Sequence, residues 1–336
     1  MHPVLPPCHP NAHCGQDVPL ADALSQVLRA VHLTGAVYFA IEASDPWVAE
    51  TPPSREIGPR ILPRAEHVIE YHVVTAGSCW GGIVDEPAVQ LEAGDVLVFP
   101  QGDRHVVSSA PGMRGGPSPD SLDMQHARLP ISIDIRGGGP RHVKLICGFL
   151  GCDAHPFNPL LSALPRLLHV RGTGERRSIL QRLVELAVVE SNAREPGSDC
   201  VLARLSELLF VEVVRHYVET LPQEQGGWFA GLQDPQVGRA LQKLHAQPAD
   251  PWTLNRLAKG AGVSRSVLAE RFTRLVGIPP MQYLARWRIQ LAASQLRASS
   301  ASLAEIAQQV GYSSEGALSK AFKRCVGVAP ATYRQA

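Results

Sequence analysis

The stretch Thr253-Leu-Asn-Arg-Leu-Ala-Lys-Gly-Ala-Gly-Val-Ser264 recurs in pattern as Ser302-Leu-Ala-Glu-Ile-Ala-Gln-Gln-Val-Gly-Tyr-Ser313, 49 residues further along the chain. After one inserted residue the correspondence resumes at an offset of 50. The matched pairs are then Phe272 and Phe322, Gly277 and Gly327, Pro280 and Pro330, and Tyr283 and Tyr333. The end of the chain is therefore predicted to contain two copies of one structural unit.

Each copy predicts a helix, a tight turn and a second helix. Thr253 and Ser302 can cap the first helix, because a side-chain hydroxyl accepts from the free backbone N–H groups of the first turn. Gly262 and Gly311 suit the left-handed position that ends this helix. One apolar pair per copy is expected to anchor the second helix on the first: Leu268 with Phe272, and Leu318 with Phe322. This is the helix-turn-helix pattern, whose second helix typically enters the major groove of DNA.

Residues 279–299 separate the two copies and begin with proline, which a helix N-terminus prefers. A helix of this length spans roughly 30 Å, and successive major-groove faces on one side of B-DNA lie about 34 Å apart. We therefore expect a rigid connector that holds both second helices in adjacent segments of the groove. The alternative is a helical bundle that does not bind DNA. Such a bundle would require neither the glycine turn that both copies share nor the basic charge of this region, so it leaves both features unexplained.

The charge of the chain is divided unevenly. Residues 234–336 hold 14 Lys and Arg against 5 Asp and Glu, a net charge of +9, whereas the other 233 residues hold 18 against 26, a net charge of −8. The formal net charge of the whole chain, +1, hides this division. A basic end on an acidic body points to contact with nucleic acid or a membrane, and a solvated basic surface is the plain alternative.

The remainder of the chain changes its pattern several times. Residues 1–18 are rich in Pro and His and are predicted to be a loose tail, and residues 19–31 have helical spacing. Short apolar runs without intervening helices then predict a barrel or sandwich. The runs are Ala36–Ile41, Val68–Val74, Val96–Phe99, Ile131–Ile135 and Val143–Phe149. Helical periodicity returns over residues 158–168, a short segment that Pro165 splits, and over the longer segments 175–193 and 199–221. The predicted fold class is therefore α+β, with a β-barrel domain at 19–170, a helical connector at 171–231 and an all-α domain at 234–336.

No apolar run of about 18 residues occurs, so no membrane span is expected. The N-terminus lacks the basic-then-apolar pattern of a signal peptide. We expect a cytoplasmic protein with no membrane partner, whose seven cysteines are reduced.

Two parts of the chain resemble known families. The stretch Ile306-Ala-Gln-Gln-Val-Gly-Tyr-Ser-Ser-Glu-Gly-Ala-Leu-Ser-Lys-Ala-Phe-Lys-Arg-Cys-Val-Gly-Val-Ala-Pro-Ala-Thr-Tyr-Arg334 resembles the signature of the AraC/XylS transcription regulators. Gly77-Ser-Cys-Trp80, Leu91-Glu-Ala-Gly-Asp-Val-Leu-Val-Phe-Pro-Gln-Gly-Asp-Arg-His105, and Cys147-Gly followed by Asn158-Pro-Leu-Leu resemble the cupin-type sensor domain of one subgroup. The resemblance implies that residues 19–170 are a cupin-like sensor domain. We expect the helical connector at 171–231 to dimerise or to relay a signal.

The resemblance also implies which side chains meet DNA. The matching base-reading positions are Arg265, Ser266, Ala269 and Glu270 in the first unit, and Glu315, Gly316, Ser319 and Lys320 in the second. Glu270 can accept from a cytosine amino group, Lys320 is the best candidate for guanine, and Gly316 is not expected to read a base. Phosphate contacts, which position without specifying, are expected from Arg271, Arg274, Lys323 and Arg324. A merely solvated charge is the alternative at each position.

The predicted barrel contains a candidate effector or metal site. His105 ends a stretch that resembles the second cupin motif, whose His often binds metal. Glu70 and His72 are two residues apart on one predicted strand, so both can face the barrel interior together with His105. Two His and one carboxylate make a plausible metal set. However, Glu70 stands where the first cupin motif carries a His. A core His is therefore preferred, and the cofactor is unknown, with metal not expected.

The cysteines suggest further chemistry. Cys147, Cys152 and His155 form a C-x4-C-x2-H pattern, whose spacing is irregular for zinc. Cys79 is predicted to be buried and inert beside Trp80, and a thiol redox sensor is the alternative. A second cluster lies in the predicted tail, at Cys8, His9, His13 and Cys14.

These observations predict a transcription regulator, not an enzyme, that binds double-stranded promoter DNA and responds to a small molecule or chemical stress. RNA polymerase is an expected partner. The helical connector at 171–231 is also compatible with a homodimer. A metal-dependent cupin enzyme is a second function class, but it needs a complete ligand set in the barrel. A scaffold protein without specific DNA binding is a third.

Overall fold

A computed structural model describes residues 21–63, 65–115, 131–171, 177–193, 195–221 and 226–335. The predicted tail at residues 1–18, with its cluster of Cys8, His9, His13 and Cys14, lies outside these ranges. Within them, no helix combines the length and apolar character needed to cross a membrane.

The N-terminal half is built on two β-sheets that face each other. The described strands are β1 (Thr34–Ser44), β2 (Val48–Thr51), β3 (His67–Ala76), β4 (Ser78–Ile83), β5 (Val89–Glu92), β6 (Val96–Phe99), β7 (His105–Ser108), β8 (Ile131–Arg136), β9 (His142–Cys152) and β10 (Leu168–Val170). The larger sheet has the order β10-β6-β3-β9-β1-β8, and the smaller has the order β2-β7-β4-β5. All five apolar runs that predicted strands lie within these elements.

Side-chain alternation gives the larger sheet two apolar faces. Val68 and Leu145 point into the space between the sheets, where one core cluster lies. Ile69 and Leu150 point outward and join a second cluster beneath the covering helices. Because β3 and β9 are buried on both faces, few of their residues are exposed.

Three helices accompany the larger sheet: α1 (Ala21–Ala30), α4 (Arg177–Ala193) and α5 (Ser198–Thr220). Helix α5 packs directly onto β1, and Gly35 allows this approach, since a Cβ atom there would lie 2.4 Å from the backbone oxygen of Ala203. The Tyr71 hydroxyl reaches Ser206 at 2.6 Å. Helix α5 belongs to the predicted connector at 171–231, yet it packs on the sheet of the predicted barrel domain. The boundary between these two regions therefore stays a prediction.

Two local predictions were wrong. A helix, α2 (Ser54–Ile61), interrupts the strand region, because Ile57 and Ile61 turn to one buried face. The helical periodicity over residues 158–168 yields only the short α3 (Pro159–Ala163) before β10. Asn158 caps α3, and Pro165, which cannot donate a helical hydrogen bond, follows its end.

The C-terminal part is all helical. After α6 (Trp228–Gln233), its helices are α7 (Pro235–Ala246), α8 (Leu254–Ala261), α9 (Arg265–Val276), α10 (Pro280–Ala298), α11 (Leu303–Gln309), α12 (Glu315–Val326) and α13 (Pro330–Gln335). Helices α8 and α9 form the first helix-turn-helix unit. Helices α11 and α12 form the second, in which we also include α13 and the end of α10, because these share its apolar cluster.

The turn chemistry predicted for each unit is confirmed. Thr253 accepts a hydrogen bond from Arg256 N, and Ser302 forms a capping box with Glu305. Gly262 and Gly311 have φ values of 77° and 84°, in the left-handed region that glycine adopts at least cost. The four predicted anchors, Leu268, Phe272, Leu318 and Phe322, are at most 1% exposed.

Helix α10, which separates the two copies, contributes to two apolar cores. Its first half, with Tyr283, Leu284 and Trp287, belongs to the cluster that also contains the first unit. Its second half, with Ile289 and Leu296, belongs to a separate cluster around the second unit. The helix is therefore the shared support of both units.

Candidate nucleic-acid interface and barrel cavity

The second helix of each unit, α9 or α12, presents a polar face. Ser264 caps α9 by accepting from Val267 N at 3.3 Å, and Ser314 caps α12 by accepting from Ala317 N at 3.2 Å. Leu268 and Leu318 hold the opposite faces in the core. Both helices can therefore offer one side to a ligand without disturbing their packing.

Most of the predicted DNA-contacting residues are accessible on these helices. The exposed ones are Arg265, Ser266, Glu270, Arg274, Glu315, Gly316, Lys320, Lys323 and Arg324, while Ala269, Arg271 and Ser319 are half-buried. Positions 266, 269 and 270 lie on one stripe of α9, since residues three and four apart are neighbours on a helix. Positions 316, 319 and 320 form the same stripe on α12. The DNA contacts themselves remain predictions.

Arg271 has an intramolecular partner. Its guanidinium forms an ion pair with Asp234 at 2.6 Å and donates to Gln236 Oε1 at 3.2 Å, which ties α9 to the start of α7. A phosphate contact by Arg271 would have to compete with this ion pair. Sequence reasoning overlooked the ion pair because its partners lie 37 residues apart.

Val267 was not among the predicted contacts, although it lies on the exposed side of α9. Val267 is 43% exposed, which is unusual for a large apolar residue in the described chain. Its position next to Ser266 could have indicated an apolar contact, such as one with a thymine methyl group.

The interior of the barrel holds the predicted group of Glu70, His72 and His105. His72 Nε2 lies 2.7 Å from His105 Nε2, and Glu70 Oε2 lies 3.6 Å from the same His105 atom. Ser54 donates to Glu70 Oε1 at 2.8 Å. Cys147 joins the group because the β3–β9 register places it opposite His72, with 2.8 Å between Sγ and Nδ1.

Burial determines the protonation of this group. Burial raises the pKa of Glu70 to about 8 against the opposing hydrogen bond from Ser54, so the carboxyl is protonated at neutral pH. Burial lowers the pKa of His105 to about 4. Burial, reinforced by the nearby His105, holds the pKa of His72 well below its usual value. The interior group is therefore uncharged.

A neutral pair of histidines leaves one consistent hydrogen-bond order. His105 Nδ1 faces the backbone oxygen of Asp103 at 2.9 Å and must donate to it. His105 Nε2 then accepts from His72 Nε2, and His72 Nδ1 accepts from the Cys147 thiol. The Glu70 hydroxyl is too far from His105 for a hydrogen bond and is available to an acceptor.

This geometry does not fit a metal site. A metal bound by two imidazole nitrogens lies about 2.0–2.1 Å from each, which separates them more widely than the 2.7 Å between His72 and His105. Within the described ranges, no three His, Cys, Asp or Glu side chains form a group suited to a metal ion. The two histidines are core residues bonded to each other.

The other cysteine predictions are resolved by strand alternation. Cys147 faces the barrel interior, whereas Cys152 lies on the outer face of β9. His155 is exposed, and its backbone N–H donates to Glu66. The C-x4-C-x2-H residues therefore do not converge. Cys79 is buried in the interior cluster, as predicted, and burial raises its pKa to about 12.

A cavity of about 100 Å³ adjoins the interior group. Its lining is mainly apolar, with Phe39, Ile41 and Phe149 among its walls. Its polar part is formed by Glu50, Thr51, Glu70, His72 and Cys147. An apolar pocket with a few converging polar groups is typical of a small-molecule site.

Family comparisons agree with this architecture. A family model described as a cupin matches residues 22–219, and a model described as a helix-turn-helix domain matches residues 257–336. An AraC-like transcription regulator of Streptomyces lividans is 37% identical over 273 residues, which cover 81% of this chain and 88% of the relative. The chain belongs to the AraC family of transcription regulators.

Membership in this family makes the protein a DNA-binding transcription regulator and not an enzyme. The regulator AlkR of Acinetobacter baylyi is 29% identical over 94% of this chain and 99% of its own length. The DNA-binding domain of AdpA, solved with a target DNA, is 32% identical over 30% of this chain and 91% of that chain, with a TM-score of 0.29.

Proposed function

We propose that this AraC-family regulator reads one promoter duplex with α9 and α12 together and responds to a compact, largely apolar effector held in the barrel. The observation that carries the proposal is the pair of capped, outward-facing second helices on one shared support. Helix α10 has 19 residues, and at 1.5 Å per residue it extends roughly 28 Å. This length supports binding to successive major-groove segments about 34 Å apart.

The two units differ in the chemistry they offer to bases. The stripe on α9 ends in Glu270, an acceptor suited to the amino group of cytosine, whereas the stripe on α12 ends in Lys320, a donor suited to guanine. We therefore expect two unlike half-sites. RNA polymerase is the expected partner at such a promoter.

Hydroxyl-radical footprinting tests the two-unit proposal. The probe is a duplex that the full chain selects from a random-sequence pool. Two protected segments are expected on one face, one helical turn of about 10 base pairs apart. Affinity should fall steeply with salt while the preference over random DNA persists. A single protected segment, or equal affinity for random DNA, would contradict the proposal.

The effector class follows from the chemistry of the cavity. The protonated Glu70 can donate to an acceptor oxygen. Glu50, also in the lining, is a carboxylate already paired with Arg104 and Arg114, and the lining residues include no cation, so an anion is disfavoured there. A compact neutral molecule with one carbonyl or ester oxygen would satisfy both conditions.

Thermal melting with cyclopentanone and ethyl acetate as probes tests this effector class. Both should raise the Tm of the parent, because a ligand that binds the folded state alone stabilises it. The variant Ala49→Leu, which fills part of the cavity, should lose the shift. Ala88→Leu, at a half-buried position outside the cavity lining, should keep it. Equal shifts in both variants, or none in the parent, would argue against the proposed site.

Oxidation of the buried thiols as the signal is disfavoured by their protonation state. Burial raises the pKa of Cys152 to about 12 and raises that of Cys147 further, so neither supplies the reactive thiolate. Iodoacetamide treatment with peptide mapping should label the exposed Cys200 and Cys325 and spare Cys147 and Cys152. Rapid labelling of Cys147 in the folded protein would restore the oxidant hypothesis.

We also propose that a second copy of the chain covers the outer face of α4 and α5. Most of the exposed large apolar residues in the described ranges lie there, namely Ile179, Leu186, Val189, Val201 and Leu208. The seven-residue spacings on both helices are those of helix-to-helix seams. Leu186→Glu should convert a dimer into a monomer in analytical ultracentrifugation, whereas Val328→Glu, in the second unit, should not. A parent protein that sediments as a monomer would refute this dimer.

A further inference from the structure

The two helix-turn-helix units are attached to the sensor domain differently. One continuous apolar cluster runs from the outer face of the larger sheet, through α1 and α5, into α7, α8 and α9. The buried residues of the second unit form a cluster of their own with the second half of α10. The second unit meets the sensor domain through polar side chains.

Arg297, near the end of α10, is the centre of this polar contact. Its guanidinium forms ion pairs with Glu66 and, at 2.8 Å, with Asp153 of the sensor domain. It also lies 4.6 Å from the centre of the Tyr333 ring, and the Tyr333 hydroxyl donates to Glu66 at 3.3 Å. These four residues are called the Arg297 cluster below.

The two carboxylates are held firmly on the sensor side. Glu66 accepts the backbone N–H groups of Ala154 at 3.1 Å and His155 at 2.9 Å. Asp153 is bonded to His32 Nδ1 at 3.0 Å. The side chains of Glu66 and Asp153 are only 22% and 13% exposed. A network with several fixed partners holds its geometry better than an isolated surface ion pair, which contributes little.

The Arg297 cluster and the barrel cavity lie on the same two strands. Glu66 directly precedes β3, which contains Glu70 and His72, and Asp153 directly follows β9, which contains Cys147. These strands pair throughout, from His67 opposite Cys152 to His72 opposite Cys147 and beyond. A shift of the ladder at the cavity would therefore reach both carboxylates.

The internal repeat shows that this contact is specific to the second unit. Tyr283, the counterpart of Tyr333, is fully buried and bonded to Trp228 at 2.8 Å and to His245 at 2.7 Å. Both tyrosines keep an edge contact with their matching phenylalanine. Tyr333 has in addition turned its hydroxyl to the sensor domain, so the cluster is not a by-product of the repeated fold.

We infer that Arg297 is a positioning residue, which through Glu66 and Asp153 holds the second unit in one orientation so that α9 and α12 address the same duplex. This inference rests on the proposed joint use of both units. Loss of the cluster leaves α10 as the main restraint on the second unit. The second half-site should then contribute less to affinity, because a loosely held module has a lower effective concentration at its site.

The test measures the affinity of the full chain for two duplexes at fixed salt. One is the duplex selected by the parent, and the other has its α12 half-site scrambled. Arg297→Gln is expected to reduce the preference for the intact duplex about tenfold, with affinity for the scrambled duplex unchanged. Arg297→Lys, which keeps the charge, should recover part of the preference.

Two variants separate positioning from a simple charge effect. Arg334→Gln removes the same charge from the same unit, but Arg334 bonds Ala301 within that unit, so the preference should persist. Glu66→Gln removes a negative charge from the protein. If only the overall electrostatic attraction between protein and DNA mattered, this variant would bind both duplexes more tightly. The positioning role instead predicts a reduced preference, and far-UV circular dichroism confirms that each variant is folded.

A parent-like preference in both Arg297→Gln and Glu66→Gln would overturn the inference. Equal weakening on both duplexes would also overturn it, because it would identify Arg297 as a phosphate contact. A parent that shows no preference for the intact duplex would instead refute the joint use of both units, on which the inference depends.

Discussion

Shortening Leu318 to alanine tests whether the second unit has a core of its own. Leu318 is 0% exposed and packs in a cluster with eight other buried residues, including Phe322 and Ile306. The change removes three carbon atoms, which at about 0.8 kcal/mol each gives roughly 2 kcal/mol of lost transfer free energy. The cavity left behind raises the expected destabilisation to about 2–5 kcal/mol.

Hydrogen exchange on the full chain locates this effect. Amides of α12 should exchange faster in Leu318→Ala, whereas those of α9 should remain near the parent rate, because α9 belongs to the other cluster. Val328→Ala, at a site 41% exposed in the same unit, should change stability by less than about 0.5 kcal/mol. Equal acceleration in α9 and α12, or an unchanged melt, would refute the division into two cores.

Three further predictions concern single residues. Lys320→Ala should weaken binding to the selected duplex by roughly 1–3 kcal/mol in a gel-shift titration at fixed salt, and an unchanged Kd would reject its contact with DNA. Gly311→Ala should destabilise the protein more than Gly277→Ala in thermal melts: both have positive φ, which costs roughly 1–2 kcal/mol, but only at Gly311 would a Cβ atom meet backbone, 2.6 Å from Ala249. Folding favours the protonated form of Glu70, because its pKa rises from 4.5 to about 8. Its contribution to the free energy of unfolding is therefore complete below pH 4.5 and is lost as the pH rises through 8. Urea denaturation should therefore show Glu70→Gln gaining stability relative to the parent from pH 5 to pH 8, and a relative loss would contradict the burial of a neutral carboxyl.

The DNA-binding helices could be predicted from the sequence because their determinants are local. A glycine with positive φ, a hydroxyl cap and an apolar pair three or four residues later all lie within one short segment. The repeat supplied the same evidence twice.

The cupin domain was less accessible to sequence reasoning because its candidate site depends on strand register. Alternation correctly brought Glu70 and His72 to one face, and the cupin-like stretch added His105. Cys147, by contrast, was grouped with Cys152 because they are close in sequence, although the β3–β9 ladder places it opposite His72. The pairing of Arg297 with Glu66 spans 231 residues, and no local pattern encodes such a contact.

The apolar cluster that runs from the larger sheet into the first unit constrains protein engineering. Helix α7 packs against α1, which lies more than 200 residues earlier in the chain. A chimera that fuses residues 234–336 to a foreign sensor would leave this side of α7 facing water and prone to aggregation. A transplantable reader module would need either α1 as an added segment or polar substitutions on the uncovered face.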